Sequence, residues 1–229
     1  MSYPINYPTP QGANVQIFTT NGLSTTAAPI QTWMKPQGAS FVWFTLIGAG
    51  GAGDNVSTGG GSGAVTNFMC PAFLIPDQLR IELGVGGTIA QPSSITRVSY
   101  QQKTTTAYTL LSASAGGAGG TGGVGGAAMT ANNFTAMGFF QSINGQDGTS
   151  GAIAASGTTF LSGGGRILDT QNSNYGYSSG PSTINRSGFF QTQPIIVGAG
   201  GMGSGIGGTG CGGGIGGGGG SSMVVIITW

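Results

Sequence analysis

The sequence predicts an all-β protein in which sandwich-like strands alternate with stacked, extended glycine segments of the polyglycine II type. Three observations carry this. Glycine supplies 49 of 229 residues, about three times its usual share of roughly 7 per cent. Short runs of β-branched and aromatic residues recur between the glycine blocks, and none has a helical period. The blocks themselves keep a triplet phase. Gly116–Ala127 reads GGA, GGT, GGV, GGA, and from Gly198 to Gly219 every third residue is glycine except Ser204. Three residues per turn is the period of the extended left-handed helix, which makes no internal hydrogen bonds. Its N–H and C=O groups must find partners on neighbouring backbones, and a glycine edge lets such neighbours approach. An α-helix is excluded there, because each interior glycine costs about 0.8–1.0 kcal/mol against alanine.

Residues 1–31 carry Pro4, Pro8, Pro10 and Pro29 among Thr, Ser and Asn, so they read as an extended attachment arm with one strand-turn unit at Val15–Gly22. Ala39–Ile47 (ASFVWFTLI) is a strand that places Val42, Phe44 and Leu46 on one face and Phe41, Trp43 and Ile47 on the other. Further strands are expected at Ala64–Met69, Leu79–Val85, Ile95–Tyr100, Ala107–Ser114, Pro194–Val197 and Met223–Trp229. In LRIEL, Leu79, Ile81 and Leu83 alternate with Arg80 and Glu82, the pattern of a strand wet on one face. Residues 32–127 and 195–229 thus form a glycine-rich β scaffold, interrupted by an insertion or tip region at 128–194.

Chemistry is excluded largely by inventory. Six basic and five acidic residues, with no histidine, leave a net charge of +1, which offers no footprint for nucleic acid or an anionic membrane. Without histidine there is no Ser-His-Asp or Cys-His pair. Asp54, Asp77, Glu82, Asp147 and Asp169 are scattered singly, without metal-ligand spacing. GAGGAG at Gly48–Gly53 follows a strand and satisfies G-x-G-x-x-G, as do Gly198, Gly200 and Gly203. A dinucleotide site also needs a helix to begin there, and the glycine-rich text that follows cannot start one. No catalytic, cofactor-binding or metal-binding residue is assigned, and no cofactor is expected. Met1–Pro10 has neither a basic start nor an apolar run, and no stretch is long enough to span a membrane. The expectation is a protein outside conventional secretion that does not insert in membranes. Cys70 and Cys211 are expected as free thiols.

The insertion is rich in aromatics among Asn, Gln, Ser and Thr. Phe139, Phe140, Phe189 and Phe190 are expected to form a small core beneath loops. Asn172–Ser179 (NSNYGYSS) has the composition of an adaptable recognition surface, which makes Tyr175, Tyr177, Asn172 and Asn174 the candidate contact residues.

Several segments resemble the glycine-rich domain of bacteriophage tail fibres and related virion appendages. They are TWMKPQGASFVWFTLIGAGGAG (Thr32–Gly53), GGGSGAVTNFMCPAFLIPDQLRIELGVGGT (Gly59–Thr88), LLSASAGGAGGTGG, and the closing GGGGGSSMVVIITW. A weaker similarity is to the tip adhesins of T-even-type phages, in which glycine triplet helices stack and present variable loops. The resemblance implies a non-enzymatic virion protein of a tail fibre, tip or surface appendage, serving assembly or host-receptor binding. A capsid-surface role, as a decoration or minor capsid protein, is the alternative location. A glycine-rich ice-binding protein is the rival class, although the third positions mix Ala, Thr, Val, Met, Ile and Cys and write no regular flat face. With few charges to solvate its surface, the chain is expected to be covered in part by other copies of itself, as a trimer by analogy with fibres, or by other virion proteins.

Overall fold

The computed structural model describes residues 13–19, 30–54, 58–88, 92–100, 108–148, 165–168, 174–177, 183–184, 195–196, 209–213 and 217–229. Within them the chain is all-β, with two larger antiparallel sheets, two two-stranded antiparallel pairs and no α-helix. The strands are β1 (Asn14–Thr19), β2 (Ile30–Met34), β3 (Phe41–Ile47), β4 (Val65–Pro71), β5 (Gln78–Glu82), β6 (Thr96–Ser99), β7 (Thr109–Ala113), β8 (Phe139–Ile143), β9 (Gly165–Leu168), β10 (Asn174–Tyr177), β11 (Thr183–Ile184), β12 (Ile195–Ile196) and β13 (Met223–Thr228). The larger sheet has five strands in the order β1-β13-β3-β4-β8, the second has four in the order β2-β5-β6-β7, and β9 pairs with β10 and β11 with β12.

The apolar alternation read in the sequence places the core between these sheets. Val42, Phe44 and Leu46 of β3, with Phe68, Cys70, Val224 and Ile226 beside them, face Trp33, Leu79, Ile81, Val98 and Leu111 of the other sheet. Trp33 and Phe44 meet edge to face at 6.1 Å. Arg80 and Glu82 are only partly buried, and Glu82 pairs with Arg97 across β5–β6. β13 (MVVIIT) is buried on both faces, which accounts for its continuous apolar run. Met223, Val225 and Ile227 join Ile47, Val65 and Cys211 in a second, smaller cluster on the far side of the five-stranded sheet.

Two expectations change. Phe139–Ile143, read as part of an insertion, is the fifth strand of the larger sheet, with Phe140 opposite Phe68. Phe140 packs on the main core, whereas Phe139 is 53 % exposed and stacks on Trp43. The phenylalanine pair is therefore split by strand alternation and makes no satellite core. Phe189 and Phe190 lie outside the described residues. β1, which overlaps the strand-turn unit expected at Val15–Gly22, pairs with β13 through its whole length and forms an edge of the larger sheet.

Candidate assembly and recognition surfaces

Where the strands run into glycine, the ladders continue but their period changes. β3 and β4 are paired up to Ile47 and Val65. In the same register, Gly48 N–H donates to Ala64 O, Gly51 N–H to Gly61 O and Asp54 N–H to Thr58 O, all at 2.8–2.9 Å. These bonds recur every third residue. The β13–β3 pairing behaves alike: past Met223 and Ile47, Gly50 N–H donates to Gly220 O and Gly53 N–H to Gly217 O, each at 2.9 Å.

The intervening amides point in other directions. Gly60 and Gly63 donate to Gly213 and Gly210, Gly61 and Ala64 donate to Gly117 and Ser114, and Ser62 donates to Gln146. A flat strand has neighbours on two sides, and residues 60–64 bond outward on several. The segments after β3 and β7, which belong to different sheets, are also joined directly: Gly116 and Gly119 donate to Ala49 and Ala52.

Absent side chains explain this closure. Two packed sheets lie about 10 Å apart because side chains fill the gap. With hydrogen in place of a side chain, the layers approach to backbone hydrogen-bonding distance, as Gly116 and Ala49 do. At Gly50, Gly51, Gly60, Gly61 and Gly116 an added Cβ would overlap a backbone carbonyl of the adjacent segment. Gly119 and Gly120 supply a direct test, since a Cβ on Gly119 would strike Thr58 O and Asp54 N, whereas one on Gly120 meets nothing within 4 Å. Gly119→Ala is expected to lower the urea midpoint and Gly120→Ala to leave it within error. Equal tolerance at both would count against the stack.

The same bonds settle the use of GAGGAG. The N–H groups of Gly48, Gly50, Gly51 and Gly53 are all donated to carbonyls of this chain, so none of them remains to cradle a pyrophosphate. The carboxylates have structural partners too. Asp54 Oδ1 accepts from Thr58 N–H at 2.8 Å and Asp147 Oδ1 from Gly125 N–H at 2.7 Å. Asp77 pairs with Lys35, while Asp169 lies outside the described residues. Among the described residues no three His, Cys, Asp or Glu gather as a metal site, and no helix is long and apolar enough to cross a membrane.

Of the candidate recognition residues, Asn174, Tyr175 and Tyr177 lie on β10, which pairs with β9 as an antiparallel hairpin with Tyr175 opposite Ile167. Asn172 lies outside the described residues. Cys70 and Cys211 are both buried thiols outside any disulfide, one in the main core and the other in the cluster on the opposite face. Burial pushes the Cys70 thiol from 9.0 up to about 12. Since the folded state holds this proton more tightly than the unfolded chain, its contribution is full below pH 9 and is lost as pH rises toward 12. Thiol reagents at pH 8 are expected to label Cys70 only after denaturation.

A feature that sequence reasoning missed is the clamp formed by Lys35. Its Nζ donates to Ala72 O at 3.2 Å and Ile75 O at 2.8 Å, and it pairs with Asp77 at 2.8 Å. Lys35 N–H adds a bond to Asp77 O, and Ala72 N–H donates to Ser40 O. In TWMKP, therefore, Trp33 fills the core and Lys35 ties down the β4–β5 connection. Lys35→Met keeps the stem but leaves two carbonyls without this donor, at a cost of about 1–3 kcal/mol. A melting temperature lower by roughly 2–4 °C per kcal/mol is expected, and an unchanged value would make the clamp dispensable.

Comparison with protein-family models and with curated proteins finds no match to this chain.

Proposed function

We propose that this chain is a non-enzymatic structural protein of a virion, built into a tail fibre, a fibre tip or another surface appendage. Its glycine segments act as stacked polyglycine II-type helices of three residues per turn, and they serve as a rigid base for presented loops. The observation that carries this reading is the change of hydrogen-bond period from two to three with register retained, from Ile47–Val65 into Gly48–Ala64 and Gly51–Gly61. Such a stack gives stiffness without charge or bulky side chains, which suits a load-bearing appendage better than a catalytic cleft.

Within this reading, the hairpin β9–β10 lies in the presented region, and Tyr175 and Tyr177 contact a host surface receptor. Copies of the chain associate with one another and with other virion proteins. Antibody labelling of purified particles tests the assignment, with label expected on tail fibres or the particle surface. Tail and capsid locations are separated by the same images. Unlabelled particles, with the protein recovered only from the soluble lysate, would sink the proposal. Tyr175→Ala with Tyr177→Ala is expected to reduce attachment at unchanged melting temperature.

A further inference from the structure

We propose that residues 1–12 of one copy dock on the aromatic end of a neighbouring copy, at the end of the sandwich opposite the glycine stack. This rests on the reading that copies self-associate, and it names the surface and its occupant.

That end is apolar and exposed. Phe41 opens β3 and stacks on Trp229 at 5.8 Å with an 18° interplanar angle. Phe41 is 40 % exposed, Met34 at the end of β2 is 59 % exposed, and Phe73 in the β4–β5 connection is 82 % exposed. Phe73 sits on a short 3-10 turn, Ala72–Leu74. The turn is braced on both sides: Ala72 and Ile75 are buried in the core, and their carbonyls accept from Lys35. Pro71 and Pro76 restrict its flanks. A ring held outward on a connection this constrained loses little freedom on contact, which is the character of an interface anchor. Lys35 and Asp77, the charged pair beneath the turn, neutralise each other.

Where the chain enters the sandwich points to the occupant. Asn14 pairs with Thr228, so β1 begins at this same end, next to the strand that leads into Trp229. The sequence of residues 1–12, MSYPINYPTPQG, has no charged side chain and repeats Tyr-Pro at Tyr3-Pro4 and Tyr7-Pro8. Proline favours the extended three-residue helix, and proline-rich segments of this kind dock on aromatic grooves. An uncharged Tyr-Pro segment matches a charge-neutral aromatic end. At about 3.1 Å per residue, twelve residues reach roughly 37 Å, enough to leave one copy and lie across the end of another.

Light scattering on the full chain tests this, using Phe73→Ser and the pair Tyr3→Ser with Tyr7→Ser. Wild-type protein is expected to have the mass of several copies, and both variants to fall to that of one copy at unchanged melting temperature. A labelled synthetic peptide of residues 1–12 is expected to bind the Tyr variant and to bind the Phe73→Ser variant at least tenfold more weakly. Equal peptide binding to the two, or a wild-type mass that neither variant changes, would overturn the proposal. A single-copy wild type whose melting temperature falls in the Tyr variant would also overturn it, because the segment then covers its own chain. Particle labelling reads the virion assignment separately, so self-association without label removes that assignment and leaves the docking intact.

Discussion

Gly51→Val is expected to prevent folding, or to leave a protein that unfolds at markedly lower denaturant. Gly51 donates to Gly61 O and accepts from Gly213 N–H, and the Cβ position lies against the carbonyl of Gly117. Valine must therefore push apart segments continuous with β3, β4, β7 and β13. Moving the Gly117 segment also strains the bond from Gly61 N–H to Gly117 O, at 2.9 Å. Each buried backbone group left unpaired costs about 1–3 kcal/mol. With several lost together, the sum reaches the scale of a whole domain's stability, roughly 5–15 kcal/mol. Circular dichroism and urea titration read the outcome. A variant with wild-type midpoint would mean that the stack is loose enough to admit side chains, contrary to the hydrogen-bond geometry.

Phe44→Ala is the second large effect, expected at about 3–5 kcal/mol for removal of a buried phenylalanine. Phe44 is 1 % exposed and meets the Trp33 ring across the two sheets. The cavity would open in the layer that joins them, against β3, whose backbone is held by ladders on both sides, so collapse into it is limited. The matching control is Phe139→Ala, where a 53 % exposed ring stacks on Trp43 and about 0.5–1.5 kcal/mol is expected. Denaturation midpoints that fall equally in the two variants would contradict the placement of the core between the sheets.

Neither the β9–β10 pairing nor the clamp at Lys35 was legible in the sequence. NSNYGYSS marked out Tyr175 and Tyr177 by composition alone, and composition carries no partner strand. The pairing of β10 with β9 depends on Gly165–Leu168, which lie outside that stretch. The clamp role of Lys35 had no physical signal in the sequence, because a lysine before a proline looks like any solvated charge until Ala72 and Ile75 bring their carbonyls to it.

By itself the sequence determined the all-β class, the faces of β3 and β5, and the triplet phase of the glycine blocks. Each of these follows from local periodicity: alternation sets which side chain is buried, and glycine at every third position leaves a bare edge. Only the tertiary structure decided which bare edges meet. The continuation of β3–β4 and β13–β3 into three-residue spacing, the direct bonding of Gly116 to Ala49 across the two layers, and the recruitment of Phe139–Ile143 as a fifth strand all join residues far apart in the chain. Glycine is silent about its partner, since without a side chain it specifies how closely a neighbour can come but not which one. That choice falls to the apolar strands β3, β4 and β13, whose registers carry through into the glycine segments beside them.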